Sequence, residues 1–318
     1  MRLALDDLLA EVPKEQVDEA RAFYSSRTSG RGPSTVEELK GVRTKRGDAA
    51  PAEPPAIVEV AASPSGPVPM RILTPRNGPP KGVYLDIHGG GFYMDSAAHS
   101  DARNRALADA LTFAVVSVDY RLAPEHPWPA APDDCEAVAL WLMENSVARF
   151  GTSQLTIGGF SAGATLAMAT LLRVRSKGTG AAFAGAALQF GTYDLSAQTP
   201  AGRQIADEYF IQAYVGQVKD RTNPDISPIF GDLRDLPPTL LVVGSNDVLL
   251  EDNLAMAGRL SAAGNVVDLR VYPDVPHGFT GHPTALAKTA LSGIYSWLLE
   301  RSDDTTRTTQ PADLSART

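Results

Sequence analysis

Eight short apolar runs set the strongest limit on how this chain can fold. They read "IVEV", "MRIL", "VYLDIH", "FAVVSVDY", "LTIGGF", "GAALQFG", "TLLVVGS" and "VDLRVYP". Most are continuous and rich in β-branched residues, the pattern of strands covered by helices on both faces. Helical patterns lie between the later runs, near 100–111, 134–148, 162–176, 250–264 and 284–300. Strand and helix in alternation predict an α/β domain with a mostly parallel sheet. Ligands bind such sheets at the carboxyl ends of the strands, so chemistry is sought there.

Two segments fall outside the alternation. Residues 1–50 carry helical periodicity, with Val17, Ala20, Ala22 and Phe23 near one face of "PKEQVDEARAFYSSR". The Pro/Ala-rich "GDAAPAEPP" separates them from the main domain, expected over 51–301. The second, about 194–236, is too long for a plain connection and predicts an inserted helical excursion. Together the two are expected to cap the strand ends. The polar stretch 302–318, "SDDTTRTTQPADLSART", is expected to be disordered.

A chain of 318 residues is long for one average domain, but α/β sheets of this size form single units. Its net charge of −8 argues against nucleic acid, which requires clustered Lys and Arg. The single cysteine, Cys135, rules out an internal disulfide framework and suits a reducing compartment. No window approaches the ~20 apolar residues of a membrane span, and the N-terminus lacks a secretory h-region. A cytoplasmic protein without membrane contact is expected. The sequence leaves its oligomeric state open, a homodimer included.

The stretch "LTIGGFSAGATLAMATLLR" joins a strand to a good helix former, with Ser161 at the joint. Gly-X-Ser-X-Gly at such a joint is the nucleophile elbow, although the pentapeptide alone also suits a tight structural turn. A serine hydroxyl is a weak nucleophile and needs a base, an orienting acid and donors for the developing oxyanion. "YLDIHGGGFYMD" ends a strand with His88-Gly89-Gly90-Gly91, leaving backbone N–H groups open to a ligand. The N–H of the residue after the nucleophile, here Ala162, completes such an oxyanion hole. The chain order Ser, acid, His leaves His277 and His282 as bases. His277 follows the final strand, whereas His282 reads as a surface or capping residue. Asp247, just past "TLLVVGS", is the preferred acid. Glu251, Asp252, Asp194 and Asp274 are further candidates.

These residues resemble the bacterial hormone-sensitive-lipase-like carboxylesterases of the α/β-hydrolase superfamily. The likeness covers roughly 80–300 and includes "HGGGF", "VVSVDYRLAPEHPWPAAPDD", "GFSAG", "SNDVLLEDN" and "VPHGF". It implies an α/β-hydrolase fold with an eight-stranded, mostly parallel sheet, flanking helices and a helical cap. It also implies Ser161 as nucleophile, His277 as base and Asp247 as orienting acid. Gly90, Gly91 and Ala162 would donate to the oxyanion, supported by His88 and Gly89. Neither metal nor organic cofactor is called for.

Within the "YRLAPE" block, Tyr120, Arg121 and Glu125 are expected to buttress the glycine loop. Trp128 is expected to fill an apolar gap, and Asp133 and Asp134 to cap a helix. Tyr209, Phe210 and Tyr214 are candidate aromatic walls of a pocket. Phe160 and Ala164 depart from the family, which usually has Asp or Thr before the nucleophile and a further glycine after the motif. The function expected is hydrolysis of small to medium carboxylic esters through an acyl-enzyme. An amidase or arylformamidase on the same scaffold, or a non-catalytic small-molecule receptor, remains the alternative.

Overall fold

The computed structural model describes residues 4–27, 32–178 and 182–302. The tail expectation therefore lies outside the described residues, except for Ser302, which ends a helix. The eight expected runs become β1 (Ile57–Ala61), β2 (Val68–Leu73), β3 (Gly82–Ile87), β4 (Phe113–Val118), β5 (Leu155–Phe160), β6 (Phe183–Gln189), β7 (Thr239–Gly244) and β8 (Val267–Tyr272). They form one sheet in the order β1-β2-β4-β3-β5-β6-β7-β8. β1 is antiparallel to β2, and β2 to β4; the pairings from β4 onward are parallel. Every residue of β3, β4 and β7 is buried, as their continuous apolar composition requires. β1, at the edge, leaves Ile57, Val58 and Val60 exposed.

Helices cover both faces. α3 (Asp101–Leu111) and α9 (Ala285–Ser302) pack on one through Leu107, Leu111, Ile294 and Trp297. α4 (Ala130–Phe150), α5 (Ala162–Ser176) and α8 (Leu250–Ala262) cover the other through Leu142, Leu166, Met168 and Met256. Burying each such side chain contributes roughly 1.5–3 kcal/mol, so the two apolar layers dominate stability. α4 begins earlier than the periodicity suggested. Pro132 falls in its first turn, where a missing N–H costs nothing, and Asp133 and Asp134 are consequently inside the helix rather than capping it. Among the described residues, no helix is long and apolar enough to cross a membrane.

The chain passes from β3 outward to β4, then crosses back to β5 on the other side of β3. That reversal opens a crevice at the carboxyl ends of β3 and β5, where α/β sheets place their ligands. Of two N-terminal helices, α1 (Lys14–Ser25) and α2 (Val36–Arg46), the second lends Arg46 to its rim. α1 lies beside α9, with Glu19 accepting from Ala285 N–H and Gln16 from Thr289. α2 reaches the loop after β3 through Arg43, which donates to the carbonyls of Tyr93 and Ala123 and to Glu125.

The excursion 194–236 holds only two short helices, α6 (Pro200–Gln204) and α7 (Tyr209–Val215), plus a 3-10 turn at Pro228–Phe230. Pro200, Gly202, Gly216 and Pro224 punctuate it too often for longer helices. Ile205, Ile211, Tyr214 and Ile226 bury it in the core, and an ion-pair network pins it at one point. Arg173 of α5 donates to both oxygens of Asp225 (2.5 and 2.7 Å) and to Asp133 (2.7 Å), while Trp128 Nε1 donates to Asp225 (2.8 Å). Removing one member of such a desolvated network strands the rest. Arg173→Met should lower unfolding free energy by about 2–4 kcal/mol in urea titrations, with Arg173→Lys losing less.

Candidate active site

The elbow forms because β5 and α5 meet in a space that admits no side chains. A Cβ on Gly163 would lie 2.0 Å from the Ile87 carbonyl oxygen, and one on Gly159 would lie 2.4 Å from the same atom. Ser161, between them, is forced to φ 53° and ψ −125°, a conformation costly for a non-glycine residue. Its N–H is held by the Gln189 carbonyl at 2.9 Å. The turn lifts the hydroxyl above the sheet at the N-terminus of α5, where orphan N–H groups give positive potential.

Three side chains then meet. Ser161 Oγ lies 2.9 Å from His277 Nε2, and His277 Nδ1 lies 3.0 and 3.1 Å from the two Asp247 oxygens. A proton on Nδ1 donated to the carboxylate leaves Nε2 free to accept from the serine hydroxyl. Asp247 is buried and also accepts the Leu249 N–H at 2.8 Å, which fixes its orientation. Phe190 packs edge-on against the His277 ring at 5.0 Å, a contact with no sequence signal.

The glycine loop sits over the same point. Gly90 and Gly91 have φ of 102° and 59°, and Gly90 O accepts from Tyr93 and Met94 N–H in a tight turn. Among the described residues, the N–H groups of Gly90, Gly91 and Ala162 have no acceptor. His88 is fully buried, stacks on Tyr120 at 4.1 Å and places Nδ1 2.8 Å from Gly89 O. Burial lowers its pKa, so it is a neutral structural ring. Tyr120 donates to the His88 and Gly89 carbonyls at 2.9 and 3.1 Å. Arg121 is engaged instead with Asp134, and Glu125 with Arg43. Trp128 packs against the core and hydrogen-bonds the excursion.

The remaining candidates lie elsewhere. His282 hydrogen-bonds Tyr24 of α1 at 2.9 Å, and Thr284, not His282, caps α9 by accepting the Ala287 N–H. Asp194 accepts from Ser196 and Thr199, Glu251 from Gln204, and Asp274 from Arg21. Asp252 is buried and accepts the N–H groups of Tyr193 and Asp194. Cys135 is buried, and burial pushes its thiol pKa well above the ordinary range, leaving it inert. Among the described residues, no His, Cys, Asp or Glu cluster could hold a metal.

A cavity of about 550 Å³ opens over Ser161, His277, Gly90, Gly91 and Ala162. Of the three aromatic wall candidates only Phe210 reaches it. Tyr214 stacks flat on Phe92 at 4.1 Å beneath the wall, and Tyr209 meets Tyr93 edge-on.

Two predictions follow from these contacts. Gly163→Ala should destabilise by about 2–3 kcal/mol or more, because backbone must move. Gly258→Ala, at an open helical position, should stabilise by about 0.5–1 kcal/mol in the same urea assay. The second concerns Asp252, whose pKa burial raises to about 6, against the pull of its two N–H donors. The folded state thus holds this proton more tightly than the unfolded chain does. The associated stability is full below about pH 4 and is lost as pH rises through about 6. Asp252→Asn should therefore gain on the parent by on the order of 2–3 kcal/mol between pH 4 and 6.5. Parallel pH profiles of urea unfolding would contradict this.

The alpha/beta hydrolase fold family matches residues 84–281. The carboxylic ester hydrolase LipN of Mycobacterium tuberculosis is 32% identical over 232 residues, 68% of this chain and 62% of LipN. The esterase LipI of the same organism is 32% identical over 244 residues, 71% of this chain and 75% of LipI. The hyperthermophilic esterase of Pyrobaculum calidifontis superposes with a TM-score of 0.76 at 25% identity, covering 88% of this chain and 96% of that one. With the sheet order, the elbow and these similarities in place, the chain belongs to the hormone-sensitive-lipase-like family of α/β hydrolases.

Proposed function

We propose that the protein is a serine carboxylesterase acting on small to medium carboxylic esters. The observation that carries this reading is the unbroken contact from Ser161 through His277 to Asp247 within one cavity. Ser161 Oγ attacks the ester carbonyl as His277 Nε2 takes its proton. Asp247 keeps His277 in the reactive tautomer and stabilises the imidazolium. The N–H groups of Gly90, Gly91 and Ala162 donate to the oxyanion as charge develops, where preorganised donors have their largest effect. His277 returns the proton to the departing alcohol, then activates the water that clears the acyl-enzyme. A cavity of about 550 Å³ suits a small or medium ester. Residues 1–50 and 194–236 act in this reading as the cap around it. The esterase names of LipN and LipI agree with it.

Turnover of p-nitrophenyl acetate and butyrate tests the assignment. Ser161→Ala should lose at least about 10³-fold in kcat, and undiminished turnover would sink the reading. Asp247→Asn should fall about 10²–10⁴-fold with Asp252→Asn near the parent; the reverse order would name the wrong acid. Matched amides hydrolysed faster than their esters would favour an amidase. Absence of fluorophosphonate labelling at Ser161 would favour a non-catalytic receptor.

A further inference from the structure

Phe160 takes no part in proton transfer, and stands where the family usually has Asp or Thr. It closes β5, is half-buried, and lines the cavity beside Gly90 and Gly91. The Arg103 guanidinium lies over its ring, 4.3 Å from the centroid. Arg103 is aimed in turn by Asp86, whose Oδ1 accepts from Nη2 at 2.6 Å. Asp86 is buried within the sheet, and its other oxygen accepts from Asn104 at 2.8 Å and Ser117 at 2.9 Å. The anion thus has no freedom to turn, the cation follows it, and the cation holds the ring.

The ring's edge presses on the glycine loop. A Cβ at Gly89 would lie 2.7 Å from Phe160 Cδ2 and Cε2. On the carbonyl side, the Tyr120 hydroxyl grips His88 and Gly89. Gly89, Gly90 and Gly91 have no side chains with which to anchor themselves, and the following turn constrains only Gly90 O. The height of the N–H groups over Ser161 therefore depends on what the loop rests upon. Under Gly89 that support is the ring and backbone carbonyl of Phe160, one residue before the serine, with Tyr93 and Phe210 beside Gly91, so loop and elbow share one rigid part.

We propose that Phe160, held by Arg103 and Asp86, is a positioning residue that sets the Gly89–Gly91 loop at the height the oxyanion requires. The inference rests on the acyl-enzyme reading of Ser161. An aspartate at 160 would give Arg103 a carboxylate partner but would leave Gly89 uncovered. The effect should fall mainly on the transition state, because the oxyanion draws on those donors far more strongly than the neutral carbonyl does.

The test compares Phe160→Leu, Phe160→Asp and Arg103→Lys with the parent. Active sites are counted with a fluorophosphonate, and kcat per titrated site and KM are measured on p-nitrophenyl butyrate. The inhibition constant of a trifluoromethyl ketone, which mimics the tetrahedral adduct, is measured alongside. Losing one oxyanion donor outright costs about 10²–10³-fold, so a displaced loop should cost both Phe160 variants about 10–100-fold in kcat per site. KM should stay within about twofold and the ketone should weaken by the same factor as kcat. Arg103→Lys, which keeps the charge and weakens the stack, should lose less than either. Unchanged kcat per titrated site, with only the titratable fraction or the thermal midpoint falling, would overturn the proposal and reduce Phe160 to packing. A rise in KM alone would overturn it as well. A parent protein that Ser161-directed probe fails to label would refute the acyl-enzyme reading itself, a result separate from any effect of Phe160.

Discussion

The carbonyl oxygen of Ile87 occupies the space that a side chain at Gly159 or Gly163 would need. This one close approach, between the end of β3 and the β5–α5 turn, organises much of the site. It draws the two strands' exits together, so that the loop leaving β3 and the serine leaving β5 are neighbours. It also compels Ser161 into its positive-φ conformation, because the turn must reverse within a single residue. The energy that holds this strain comes from the surrounding core, since nearly all of α5 is buried behind the turn.

Around that contact, ion pairs reinforce segments that apolar packing also holds. Asp134 with Arg121 and Asp225 with Arg173 tie a loop and the excursion to buried helices, while Asp86 with Arg103 joins β3 to α3. Arg43 does the same for the turn after the glycines, reaching across from the N-terminal segment to two backbone carbonyls. Such pairs add little net stability compared with apolar packing, but each becomes expensive to break once desolvated. The division of labour is physical. The sheet, its helices and the excursion's buried apolar residues supply the free energy, and the ion pairs help fix where the connecting segments lie over the proposed ester site.

Much of this was legible in the residues. Short apolar runs marked all eight strands, and the chain order Ser, acid, His kept Ser161, Asp247 and His277, which lie in hydrogen-bond contact, among its candidates. Other features were not. Asp133 and Asp134 looked like caps because they stand at the start of the helical pattern near 134–148, whereas the helix begins at Ala130 with Pro132 harmless in its first turn. Tyr209, Phe210 and Tyr214 looked alike, and only packing separates the cavity wall from the stacked ring beneath it. His282 carried no sign of its partner because Tyr24 is remote in the chain.

By itself, the sequence determined the alternation of strands and helices, the glycines that permit the elbow, and the few side chains able to do serine chemistry. These are local properties, set by periodicity, by steric allowance at single residues and by the pKa and nucleophilicity of particular groups. Tertiary structure alone decided how those parts are supported: which carboxylate faces His277, what Asp252 and His282 hold instead, and why an aromatic ring precedes the serine. Each answer joins residues remote in the chain, such as Asp86, Arg103 and Phe160, which become neighbours only when the sheet sets its strands side by side.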